Sequence, residues 1–253
     1  MKMLRRIPGY ILVAVLAVGG APVVAGDVSS LSIKQQWKIS IGGRLYDNWF
    51  AQRSVDTPPQ RHPAYPRNGR EQVEDTWRCT TCHGWHYRGV ELGPDKVKIK
   101  GITRMNDAPI DKIVRILRDR RHGYTKQLLP DKDAKALAWF ISKGQTQYEG
   151  FFNDDGSING NAETGKRTFG VVCSRCHGTD GKLMNLGSRR KPKYVGTYAF
   201  EDPMLLVHKV RYGQPGVGML SYGEFFERVA LGDLNHEQDY IDVLAYSRSL
   251  PTE

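Results

Sequence analysis

The sequence predicts an all-α protein made of two helical units in tandem. The first observation is the pattern Cys-x-x-Cys-His, which occurs twice, as CTTCH at residues 79–83 and CSRCH at residues 173–177. The second is that each copy has an apolar helical segment before it and another at the end of its unit. The third is the length of 253 residues, which suits two cores of about a hundred residues each once an N-terminal segment is removed.

Residues 1–25 have the pattern of a secretory signal peptide. Lys2, Arg5 and Arg6 precede an uncharged apolar run from Tyr10 to Ala25. The run is short and rich in small residues for a membrane span, so we expect cleavage after Ala25. A retained N-terminal anchor is the alternative. Both readings export the rest of the chain, and we expect a periplasmic protein that is either free or associated with a membrane.

The first unit, residues 27–147, should contain a helix over GGRLYDNWF (42–50) and end with a helix over DKDAKALAWFISKG (131–144). Between the first helix and the first motif lies the segment SVDTPPQRHPAYPRNGREQ (54–72), which we call the insert. Its four prolines predict an irregular loop.

Residues 148–160 are expected to form a linker that packs partly on the surface. The second unit, residues 161–253, should have a helix from about Glu163 into the second motif and a last helix in QDYIDVLAYSRSL. Leu137-Ala138-Trp139 aligns with Leu244-Ala245-Tyr246, and this alignment indicates a domain duplication.

The two motifs match the attachment sequence for c-type haem. Two thiols on one helical turn can form thioethers to the vinyl groups of a porphyrin, while the adjacent imidazole reaches the iron. A redox-active thiol pair and half of a zinc site are the competing interpretations. A zinc site needs a second ligand pair nearby, and thiol chemistry does not require histidine in both copies. We therefore expect two covalently bound haem c groups, attached through Cys79, Cys82, Cys173 and Cys176, with His83 and His177 as proximal iron ligands.

The second haem should be completed by a methionine. Met219 follows a Gly/Pro-rich turn and lies 42 residues after His177. A thioether delivered by such a loop would give His/Met ligation. Met184 and Met204 are expected in the core or at its rim, and His208 at a haem edge or on the surface.

The first unit has leucines where the second has this methionine, so we expect bis-His ligation there. His122 lies 39 residues after His83 and is the first candidate for the sixth ligand. Met105 and His62 are the alternatives, whereas His86 is too close to His83 to reach the other side of the iron. Imidazole favours ferric iron more than thioether does, so the first haem should have the lower reduction potential.

The stretches GGRLYDNW, HPAYP, TWRCTTCHGWHYRG and HGYTKQLLPD, together with the second motif, resemble exported bacterial dihaem c-type cytochromes that accompany respiratory or sulfur-oxidising enzymes. The resemblance covers nearly all of the chain after the signal segment. It implies two tandem class I cytochrome c domains, the first with a proline-rich insertion, and single-electron transfer through two covalent haems.

The charge is concentrated in the first half of the chain. Residues 27–150 contain 22 basic and 14 acidic side chains, against 12 and 13 in residues 151–253. There is no run of five or six basic residues, and an exported protein rarely meets nucleic acid. We therefore expect a redox protein partner with an acidic face. Candidate docking residues beside His122 are Arg118, Arg120, Arg121 and Lys126.

Electron carriage is the function that these observations favour, and a redox enzyme is the alternative. A first haem with a weak or open sixth position would allow peroxidase-like chemistry or reactions of sulfur and nitrogen oxyanions. Related thiosulfate dehydrogenases use a cysteine as a ligand at the catalytic haem. With only four cysteines, all in the two motifs, this chain has none to spare for that role.

Overall fold

The structure is a computed structural model that describes residues 31–222 and 237–253. Helices dominate these residues, which confirms the all-α prediction. The helices are α1 (Ile33–Arg53), α2 (Cys79–His83), α3 (Ile110–Arg118), α4 (Asp131–Trp139), α5 (Ala162–Val172), α6 (Ser174–His177), α7 (Val195–Glu201), α8 (Pro203–Tyr212) and α9 (Glu237–Ser247). Helix α4 continues as a π-helical turn, Phe140–Gly144, and 3-10 turns cover Asp75–Trp77 and Thr103–Met105.

Within the described residues the only paired strands are β1 (Glu91–Leu92) and β2 (Val97–Lys98), which run antiparallel. None of the helices in residues 31–222 and 237–253 combines the length and apolarity needed to cross a bilayer. The predicted signal peptide, residues 1–25, lies outside the described residues.

The first and last helices of each unit cross at a glycine. Helix α1 packs on α4 and its π-helical turn, and α5 packs on α9. At Gly42 a Cβ atom would overlap Ala136 and Phe140, and at Gly165 it would overlap the carbonyl of Asp242. Only glycine lets two backbones approach this closely, so the same contact appears in both units.

These crossings also correct the alignment of the last helices. The Gly165 position faces Asp242 and Tyr246, and the Gly42 position faces Ala136 and Phe140. Phe140 is therefore the counterpart of Tyr246, one residue later than the sequence alignment with Trp139. The reason is that the glycine contact, rather than the apolar stripe, sets the register of the crossing.

The two units share one core instead of having two. The buried side chains form a single cluster that runs from Ile39 to Leu250. Helix α8 of the second unit contacts α1 of the first, and the rings of Tyr212 and Phe140 meet edge to face with centroids 5.2 Å apart.

The segment predicted as a linker packs on the rest of the protein through its aromatic residues. Tyr148 and Phe151 are buried, and the hydroxyl of Tyr148 donates to the carbonyl of Met204 at 3.2 Å. The aromatic residues of this segment therefore fill the junction between the units, because their apolar area is removed from water there.

The insert is irregular, as its prolines predict, and it is anchored to the first unit. No helix or strand is present between Ser54 and Glu74. The indole of Trp77 donates to the carbonyl of Gln60 at 2.8 Å, and the backbone N–H of His62 donates to Thr76 at 3.0 Å. These bonds fix the middle of the insert against the segment that leads into the first motif.

Candidate functional site

Each motif forms a short helix that ends at a glycine with an unusual backbone conformation. Gly84 follows α2 with φ 71° and ψ 166°, and Gly178 follows α6 with φ 79° and ψ 161°. This region is accessible essentially to glycine alone. The two Cys-x-x-Cys-His segments therefore leave their helices in the same way, which is a structural repeat of the sequence repeat.

Tyrosine and tryptophan side chains hold the first motif against α1. The hydroxyl of Tyr46 donates to the carbonyl of Gly84 at 2.7 Å. Trp49 and Tyr124 both donate to the carbonyl of Trp77, at 2.9 and 2.7 Å. The backbone on either side of Cys79–His83 is thus fixed by buried donors, each with a satisfied partner.

The four cysteines are unpaired, and three have raised pKa values. Burial raises the pKa of Cys79 to about 12, of Cys82 to about 11 and of Cys173 to about 12. The nucleophilic cysteine of a redox-active Cys-x-x-Cys pair has a lowered pKa instead. Cys79, Cys82 and Cys173 are neutral thiols near pH 7, which is unfavourable for thiol redox chemistry at the first motif.

His83 is held in the tautomer that ligates through Nε2. Its Nδ1 donates to the carbonyl of Lys100 at 2.9 Å, so Nε2 carries the lone pair. Burial lowers the pKa of His83 to about 4, and the ring is neutral near pH 7. A backbone carbonyl on the opposite nitrogen is the usual orienting contact of a metal-binding histidine.

His122 is also oriented by a contact at Nδ1. Its Nδ1 lies 3.2 Å from Oδ1 of Asp119, and its backbone N–H donates to the same oxygen at 2.9 Å. That backbone bond is the main reason that the pKa of Asp119 is lowered, so the carboxylate is the acceptor for Nδ1 of His122, and Nε2 is the ring nitrogen that does not face Asp119. The rings of His83 and His122 are 6.2 Å apart, centroid to centroid, and 24° from parallel.

His62, an alternative sixth ligand in the sequence analysis, has both ring nitrogens engaged. Nδ1 accepts from the backbone N–H of Ala64 at 3.1 Å, so Nε2 carries the hydrogen, which it donates to the carbonyl of His122 at 2.9 Å. Burial lowers the pKa of His62. This neutral ring has no lone pair to offer a metal, and it contacts the proposed ligand instead.

Met105, the other alternative, ends the 3-10 turn Thr103–Met105 and packs on the core half-buried. Its role as a ligand stays a prediction.

The second site is less enclosed than the first. Cys176 is exposed, and apolar side chains that follow the motif in the chain are also exposed, among them Leu183 and Met184. Nδ1 of His177 is buried but has no hydrogen-bond partner among the described residues. His83 and His177 therefore differ, since only His83 has an orienting carbonyl.

Met219 stands half-buried at the end of a turn that starts at Gly213, whose φ is 82°. The backbone N–H of Gln214 donates to the carbonyl of Met219 at 3.2 Å and closes this turn. Residues 223–236, which follow, are outside the described ranges. Ligation by Met219 stays a prediction.

His208 was expected at a haem edge or on the surface, and the surface placement is wrong. Its side chain is fully buried between the units, where Nε2 donates to the carbonyl of Gly43 at 3.0 Å and Nδ1 lies 3.2 Å from the hydroxyl of Tyr87. Burial lowers its pKa to about 3. Its neighbours Leu206 and Val207 in α8 are buried as well, so this part of the helix lies in the core and not at the surface.

Two of the four candidate docking residues are committed to local structure. Arg118 donates to the carbonyls of Tyr124 and Thr125, and Lys126 pairs with Asp131 at 2.9 Å. Arg120 and Arg121 are exposed and form no ion pair within the described part of the chain. Of the four positive charges expected beside His122, Arg120 and Arg121 therefore remain available to a partner.

Sequence reasoning missed a buried charge cluster next to the first motif. Asp47 of α1 is fully buried, and it binds Arg78, at 2.7 Å, and Lys209 of α8. Arg78 directly precedes Cys79. A buried aspartate in a helix could have been suspected from the apolar residues on either side of it, but no local pattern identifies its partners.

Comparison with protein-family models and with curated proteins gives no match to this chain. Among residues 31–222 and 237–253, no group of three or more His, Cys, Asp or Glu side chains converges as a site for a free metal ion.

Proposed function

We propose that this protein is a periplasmic dihaem c-type cytochrome that carries single electrons, with two tandem class I cytochrome c domains. The observation that carries the proposal is the pairing of His83 and His122. Both rings are oriented by a hydrogen bond at Nδ1, so Nε2 is the nitrogen of each ring that is available to a metal. Imidazole nitrogen binds a first-row metal at about 2 Å, so two rings on opposite sides of one ion have centres about 6 Å apart. The observed separation is 6.2 Å.

The residues at both motifs fit covalent haem. The neutral thiols suit thioether attachment, and the exposed apolar side chains after the second motif suit an apolar group that would cover them. When bound, the iron supplies a one-electron ferric/ferrous couple. Cys79, Cys82, Cys173 and Cys176 would attach the porphyrins, and His83, His122, His177 and Met219 would bind the iron.

The two sites are unequal in a way that favours a direction of electron flow. The carbonyl of Lys100 increases the basicity of His83, whereas His177 has no such partner among the described residues. A more basic ligand pair stabilises ferric iron, and a thioether from Met219 does so less. The ligands of the first unit would therefore give its haem the lower potential, which favours electron flow toward the second unit.

The partner is proposed to be a redox protein with an acidic face. Arg120 and Arg121 lie two residues and one residue before His122 and are exposed. A negatively charged donor would be attracted to this end of the first unit, and the attraction would weaken as salt rises.

The experiment is expression with the apparatus that matures c-type cytochromes, followed by mass spectrometry of the denatured chain. We expect two haems to remain attached after denaturation. C79A/C82A and C173A/C176A should each retain one. Low-temperature electron paramagnetic resonance of the intact protein should show two low-spin ferric haems, one bis-His and one His/Met.

The variant H122A tests the ligand set, with H86A as its control because His86 is near the same motif but contacts Arg88. We expect H122A to make the first haem high-spin and able to bind carbon monoxide, and H86A to resemble the wild type. A chain without covalent haem would overturn the proposal. A high-spin first haem in the wild type would instead favour the enzyme alternative.

A further inference from the structure

The insert places one buried histidine directly behind the proposed sixth ligand. His62 is 8 % exposed and donates from Nε2 to the carbonyl of His122 at 2.9 Å. Its own orientation is fixed by two contacts, from the backbone N–H of Ala64 to Nδ1 and from its backbone N–H to Thr76. A ring that is fixed on one side and donates on the other can hold a loop in place.

The surroundings of His62 restrict its movement further. Its ring packs edge to face on Trp77, with centroids 4.6 Å apart. Trp77 in turn donates to Gln60 of the insert and accepts from Tyr124, which lies two residues after His122. The insert and the His122 loop are thus joined through Trp77 at one place and through His62 at another.

We propose that His62 is a positioning residue for His122, and that the insert exists in the first unit to supply it. The inference rests on the proposed function, in which His122 closes the first haem. The loop that carries His122 leaves α3 and must hold its imidazole toward His83 without the support of a helix. The hydrogen bond from His62 fixes the backbone of the ligand itself, while Asp119 fixes its ring.

This assignment explains a difference between the units. The second unit has no counterpart of the insert, since only three residues separate Phe169 from Cys173. Its predicted sixth ligand, Met219, instead follows a turn closed by its own backbone. A hydrogen bond from outside the ligand loop is thus present in the first unit, where the proposed ligand is histidine.

The test compares H62Q with H62N in the complete holoprotein. The amide nitrogen of glutamine takes the place of Nε2 and can still donate to the His122 carbonyl. Asparagine reaches only the Nδ1 position and can keep the contact with Ala64 alone. The readouts are carbon monoxide binding and the high-spin ferric signal of the first haem, with the spectrum of the second haem as an internal control for folding.

We expect H62N to increase the ratio of open to closed sixth position at the first haem by roughly five- to tenfold, the effect of one lost hydrogen bond. H62Q should stay close to the wild type. The role of His62 would be overturned if H62N and H62Q opened the first haem to carbon monoxide equally. It would also be overturned if neither variant opened the haem while H122A opened it fully. Both results would leave the proposed function intact. An unchanged spectrum in H122A would overturn the ligand assignment itself.

Discussion

Lys209 and Asp47 form an ion pair between the two units, at a position where the carboxylate is fully buried. Asp47 also binds Arg78, the residue before the first motif. The packing of α8 on α1 is thereby linked to the backbone that carries Cys79. Burial lowers the pKa of Lys209, and the opposing charge of Asp47 limits that shift.

Removing the lysine should therefore destabilise the protein strongly. K209M leaves the Asp47 carboxylate buried with one cation instead of two, and we expect a loss of about 3 kcal/mol in the free energy of unfolding. Denaturant unfolding of the holoprotein measures it. K143A is the control, because its pair with Asp107 is largely exposed and should contribute less than about 1 kcal/mol. Equal effects of the two variants would contradict the importance of the buried pair.

His208 should make stability depend on pH. Its folded pKa is about 3, below the usual 6.5, mainly because it is buried between the units; the charges of Lys209 and Arg211 lower the pKa further, whereas Asp47 opposes the shift. The unfolded chain binds a proton between these values and the folded chain does not, so stability falls as pH falls through this window. We expect the wild type to lose about 2 kcal/mol more than H208Q between pH 7 and pH 5. An equal loss of stability in the wild type and in H208Q between pH 7 and pH 5 would contradict this.

The glycine crossing of α5 and α9 should tolerate no side chain. In G165A the new methyl group overlaps the carbonyl of Asp242, and we expect a loss of about 1–3 kcal/mol from forced separation of the helices. Gly170 in the same helix has open space around it, so G170A should stabilise by up to about 1 kcal/mol through helix propensity. Thermal or denaturant unfolding should show a decrease in stability for G165A and an increase for G170A, relative to the wild type. A change of the same sign in both variants would contradict the close helix crossing at Gly165.

The exposed arginines before His122 should control reaction with anions. Oxidation by ferricyanide should slow as ionic strength rises, and R120E/R121E should slow it by roughly three- to tenfold at low salt. The control R189E/R190E changes the same charge on exposed residues of the second unit. A cationic oxidant, hexaammineruthenium, should respond in the opposite direction. Identical rates for both double variants would locate the docking surface elsewhere.

Much of the first unit could be predicted because its signals are local. The helix over DKDAKALAWFISKG and the irregular insert follow from periodicity and proline content, whereas the choice of His122 as a ligand rests on spacing and stays a prediction. The choice between His122 and His62 could not be made in this way. Both are histidines within reach, and their tautomers depend on the carboxylate of Asp119 and on the backbone of Ala64, which only the folded chain brings to them.

The sequence by itself determined that the chain is helical, that it repeats and that each repeat carries two thiols and an imidazole on one turn. These properties depend on neighbours along the chain. Only the tertiary structure decided that the units share one core, that His208 lies between them and that His62 supports His122. Those facts depend on contacts between residues 60 to 165 positions apart, and a pattern read along the chain does not specify which distant groups satisfy a buried donor or charge.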